Sequence, residues 1–118
     1  MNEELKTIFG DAITVDGKSV STAHIKYKGK ETTFVVWTIT GDEPALSGND
    51  ELLYSISTVD VDVYSKGNYL SVLAVVKQLM KMNEWIWTGD SVEMYEDDTG
   101  LYHITASFEK ERTIEWQD

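Results

Sequence analysis

The chain has 118 residues, enough for one hydrophobic core and too few to suggest two, so a single domain spanning 1–118 is expected. Ten Lys and Arg stand against 21 Asp and Glu, a formal net charge of −11, which argues against adhesion to nucleic-acid phosphates or to an anionic membrane surface. Cysteine is absent, which removes disulfides, thiolate nucleophiles and cysteine-based zinc sites together.

No apolar run approaches the roughly 18 residues of a spanning helix. Met1-Asn2-Glu3-Glu4 lacks the basic start and apolar stretch of a secretory signal, so the protein is expected to stay where it is made.

In chain order, Glu3 to Phe9 reads as a short amphipathic helix, with Leu5, Ile8 and Phe9 on one side and Gly10 as a stop. Asp16 to Glu31 is polar and punctuated by glycine, and is expected to be a loop with at most one edge strand. Thr33 to Thr40, TFVVWTIT, is dense in β-branched and aromatic residues and predicts a strand that includes Trp37. The turn-rich stretch Gly41 to Asp50, which holds Pro44, is the clearest loop.

Leu52 to Ser65 follows as LLYSISTVDVDVYS. Val59, Val61 and Val63 alternate with Asp60, Asp62 and Tyr64, and a period of two places the valines on a buried face and the aspartates on the opposite one. Gly67-Asn68 ends the strand. Tyr69 to Asn83 then carries Leu70, Leu73, Val76, Leu79, Met80 and Asn83 at helical spacing, with Lys77, Gln78 and Lys81 off the stripe.

Val92 to Glu96 and Leu101 to Lys110 are strand-like, and Asp97-Asp98-Thr99-Gly100 between them has hairpin-turn chemistry. In the second of these strands Tyr102, Ile104, Ala106 and Phe108 are expected to face the core, and His103, Thr105, Ser107 and Glu109 to face out. The order predicts an α+β fold: a mainly antiparallel sheet with helices packed on one face.

Catalytic signals are weak. Asp60, Asp62, Asp97 and Asp98 invite a metal or acid/base reading, but no calcium-loop spacing or histidine motif accompanies them. Asp98-Thr99-Gly100 is the aspartic-protease triplet, yet it occurs once, where a turn by itself requires Asp and Gly. His24 and His103 lie in a polar loop and on an outward strand face. No G-x-S-x-G, Walker loop or dinucleotide fingerprint is present. The expectation is a non-enzyme without cofactor.

Four tryptophans offer a different signal, because aromatics are enriched at protein interfaces. Trp85 and Trp87 follow the long helix and Trp116 is near the C-terminus. With Asp60 and Asp62, these three are the candidate partner-contact residues. Either Trp85 or Ile86 could instead close the core.

From Leu53 to Arg112 the chain resembles the tail terminator, or tail completion, proteins of long-tailed phages and prophages. The likeness is carried by Val59-Asp60-Val61-Asp62-Val63-Tyr64-Ser65-Lys66, by Gly67-Asn68-Tyr69 and the helix containing Val76-Lys77-Gln78-Leu79-Met80, by Tyr95 to His103 and by Phe108-Glu109-Lys110-Glu111-Arg112. It implies an α+β subunit of a ring, usually of six copies, that caps the tail tube and meets the head connector. It also implies assembly in the host cytoplasm, residence in the virion tail, and DNA passing through without specific binding. A head–tail connector component, a small metal- or ligand-binding module and a dimeric enzyme working through Asp98 stay open as alternatives.

Overall fold

A computed structural model describes residues 2–46 and 52–115. Two helices and seven strands follow one another as α1 (Asn2–Phe9), β1 (Ala12–Val15), β2 (Lys18–His24), β3 (Phe34–Leu46), β4 (Leu52–Ser65), α2 (Leu70–Met82), β5 (Ile86–Asp90), β6 (Met94–Glu96) and β7 (Leu101–Glu115). The strands form one sheet in the order β1-β2-β3-β4-β7-β5, with β6 also paired to β7. All pairings are antiparallel except β2 with β3. The fold is α+β, and the sheet dominates.

The valine alternation does what its period requires. Val59, Val61 and Val63 are fully buried, and the register sets Trp37 and Ala106 on either side of Val61. The same face receives Leu5 and Phe9 of α1 and Val72, Leu73, Val76 and Met80 of α2, so both helices cover one side of the sheet. Each fully buried Val or Leu contributes about 1.5–3 kcal/mol relative to exposure. Leu70, expected on the buried stripe, is exposed in the first turn of α2, and Val72 takes the inner position instead.

Three stretches depart from expectation. Asp16-Gly17 is a two-residue turn with φ of 51° and 79°, and it joins β1 and β2 into a hairpin where a loop was expected. The right-handed strand twist favours such a left-handed turn, and glycine accepts it without a Cβ penalty. The chain then returns through residues 25–33 to start β3 parallel to β2, stacking the Tyr27 ring on Phe34 at 4.2 Å.

Gly41 to Leu46, expected as loop, continues β3 beyond a bulge at Thr40, with Gly41 opposite Thr58. A Cβ at Gly41 would lie 2.9 Å from the Thr58 hydroxyl, so the close strand approach requires glycine. Pro44 pairs with Ser55 on the β4 side, while β2 reaches only as far as Trp37 on the other, so its missing N–H interrupts no ladder there. Residues 47–50 of the expected loop lie outside the described residues.

The third departure is β5, which runs through Thr88-Gly89-Asp90, a stretch for which no strand was expected. Its neighbour β6 is shorter than predicted, and β7 longer, reaching Glu115. The turn Asp97 to Gly100 is as expected: Gly100 has φ 72° and its N–H donates to Glu96 O at 2.8 Å. The molecule measures 52 × 26 × 23 Å, because β3, β4 and β7 extend beyond the part of the sheet that the helices cover.

Candidate functional site

The end of α2 decides which of three consecutive apolar residues turns inward. Trp85 N–H donates to Met80 O at 2.9 Å and Glu84 N–H to Lys81 O at 3.1 Å, with Glu84 at φ 68°, a Schellman closure. This motif brings the residue after the left-handed position against the helix. Trp85 is accordingly 3 % exposed and part of the core, so it is removed from the candidate contact residues, while Ile86 is 61 % exposed and Trp87 51 %.

A bulge at Thr88 follows: Trp87 opposes Phe108, and Gly89 opposes Ser107. The extra residue puts Trp87 and Asp90 on the same, helix-covered side. There the Trp87 indole N–H donates to Asp90 Oδ1 at 2.9 Å, and Lys77 of α2 reaches both Asp90 at 2.8 Å and the Trp87 ring at 4.3 Å. Between α2 and β5 lies an apolar groove of about 410 Å³, lined by Lys77, Lys81, Trp85, Ile86, Trp87 and Phe108.

Asp60 and Asp62 occupy the opposite face, as expected, but they are not free. Ser107 donates to Asp60 at 2.8 Å, while Asp62 Oδ1 lies 2.8 Å from His103 Nε2 and also accepts from Thr105. His103, expected on the outward strand face, is there and has Asp62 as its partner. Its ring also ends a stacked row, Tyr27–Phe34–Tyr64–His103, with centroid separations of 4.2, 4.7 and 4.1 Å. Burial, reinforced by the carboxylates of Asp62 and Glu96, pushes the Tyr64 phenol above its usual range, so it stays neutral.

A shallow depression of about 280 Å³ beside this row is lined in part by Ile25, Lys26, Asp62 and Glu96. Ile25 sits at its lip in a tight turn, with φ 68° and a bond from Lys26 N–H to His24 O. His24, expected in a loop, ends β2 and stacks on Trp37 at 4.0 Å. Among the described residues no three or more His, Asp or Glu side chains converge as a metal site needs, and no buried side-chain polar atom lacks a hydrogen bond. No described helix is long and apolar enough to cross a membrane.

The contact candidates thus separate: Asp60 and Asp62 on the open face, Trp87 on the helix side at the sheet edge, Trp85 inside, and Trp116 outside the described residues. Sequence reasoning missed the neighbours of Trp87. Among the described residues ten large apolar side chains are exposed, and eight of them fall between Leu70 and Tyr102, in α2, β5, β6, the link between those two strands and the start of β7. Tyr102, expected in the core, is one of them. It opposes Tyr95 beyond the start of α2, with ring centroids 5.1 Å apart. Val92 and Met94 lay in a predicted strand, yet only its place at the sheet edge left them uncovered. No protein-family model matches the chain, and no curated protein matches it either.

Proposed function

We propose that this chain is an assembly subunit working through protein contacts, the tail terminator of a long-tailed phage or prophage. In this reading copies form a ring that caps the tail tube, ends its growth and joins the tail to the head connector. The observation that carries the reading is the run of exposed apolar side chains, Ile86, Trp87, Val92, Met94 and Tyr95, along β5, β6 and the link between them at the sheet edge. Patches of that kind, rimmed by charge, mark interaction surfaces.

The resemblance from Leu53 to Arg112 supplies the particular role. The net charge of −11 suits a passage for DNA, because like charge keeps phosphate from sticking. The satisfied hydrogen bonds of Asp60 and Asp62 favour a structural use of that face over a metal site.

Electron microscopy of the purified protein mixed with tail tubes tests the proposal. Density at one tube end and arrested growth are expected, and deleting the gene should give tails of irregular length that fail to join heads. Uncapped tubes, together with uniform, head-joined tails in the deletion, would overturn it.

A further inference from the structure

Among the described strands β1 and β5 are the outermost, at opposite sides of the sheet. The two-residue turn makes Val15–Lys18 the hydrogen-bonded closing pair, so by alternation Ala12 and Thr14 direct their N–H and C=O groups away from β2. The edges are of similar length, four residues in β1 and five in β5. We infer that β5 with the adjoining β6 hairpin is the acceptor edge for a second copy of this chain, whose β1 adds to β5 and continues the sheet from subunit to subunit.

The edge itself is apolar. Ile86, Trp87, Val92 and Tyr95, along β5 and into β6, each expose more than half their surface, and apolar side chains left bare along a strand edge mark an interaction surface.

Charge disfavours the two-fold alternative. A two-fold, antiparallel contact of β5 with β5 would bring Glu84 of one copy beside Glu93 of the other, and facing like charges destabilise a strand pair. The β1 edge instead brings exposed Lys6 and Lys18 along with Asp11 and Asp16. A contact between two different edges also propagates around a ring, so the inference deepens the terminator reading and rests on it for closure.

The test is oligomeric state by light scattering at about 1 M sodium chloride, where the screening length is roughly 3 Å and the charge of −11 per chain no longer opposes association. Trp87→Lys and Val92→Lys spoil the acceptor edge, and Thr14→Pro removes an outward N–H from the donor edge. Val92 is 82 % exposed, so its variant keeps the fold even if Trp87→Lys does not. The wild type should assemble and each variant alone should stay monomeric. An equimolar mixture of an acceptor variant with Thr14→Pro should give a one-to-one dimer through the single intact pair.

A monomeric wild type, or acceptor variants that assemble like it, would overturn the surface. Assembly by folded Thr14→Pro alone would overturn the β1 assignment. Rings that form through these edges yet never cap tubes would end the terminator reading and leave this inference standing, and capping by variants unable to pair would do the reverse.

Discussion

His103 Nε2 lies 2.8 Å from Asp62 Oδ1, diagonally across the β4–β7 pair, and the Thr105 hydroxyl donates to the same oxygen. The Asp62 side chain is 21 % exposed, so solvent replaces only part of what it provides. Asp62→Ala should therefore cost about 1 kcal/mol, the usual net worth of such hydrogen bonds. Val61→Asp, one residue away on the opposite face, should cost about 4 kcal/mol or more, since it buries a charge with no partner. Thermal melts of the two variants check the ranking, and equal losses would contradict it.

Glu4 ties α1 to the sheet. Its carboxylate accepts from Lys110 Nζ at 2.7 Å and Trp85 Nε1 at 3.2 Å, and pairs with Arg112. Burial raises its pKa, but the hydrogen bonds and charges of Lys110 and Arg112 outweigh that and hold it below the ordinary value of 4.5. The stability from this carboxylate is fully present above the unfolded value and is lost as pH falls through the lowered folded one. Urea unfolding should find Glu4→Gln weaker at pH 7 by up to about 1 kcal/mol, given partial solvent screening. The difference should vanish in acid below the folded value.

Glu84 occupies the left-handed position that closes α2, at φ 68°. A side chain there costs about 1–2 kcal/mol, partly offset in a glycine by the entropy it loses on folding. Glu84→Gly should thus raise stability by about 0.5–1 kcal/mol. The intrinsic fluorescence of buried Trp85 should stay unchanged if the helix end keeps its geometry.

Trp87 is held by Lys77 and Asp90 and is half exposed, so its truncation bears more on contacts than on folding. Trp87→Ala should lose about 1 kcal/mol of stability. As the interface anchor of the proposed terminator, it should lose about 2 kcal/mol or more of partner affinity. Circular dichroism should therefore be near normal while the variant fails to complement a deletion phage. Complementation at wild-type titre with uniform tails would remove Trp87 from the interface.

The buried valines of β4, the inner stripe of α2 from Leu73 to Met80 and the turn before β7 were legible because each is a local period or a local turn. The charge, too, was complete in the composition. Burial of Trp85 rather than Ile86 was not legible, because the left-handed Glu84 sets it and no glycine announces that conformation. The bulge at Thr88 puts Trp87 and Asp90 on one side, against the period of two, through pairing with β7. β1 was hidden, and β2 was legible only as the one edge strand allowed within a loop, because a short edge hairpin needs few apolar residues. Which strand ends at a sheet edge depends on hydrogen bonds between segments far apart in the chain, so only the tertiary structure could decide that Ile86, Val92 and Tyr95 lie uncovered together.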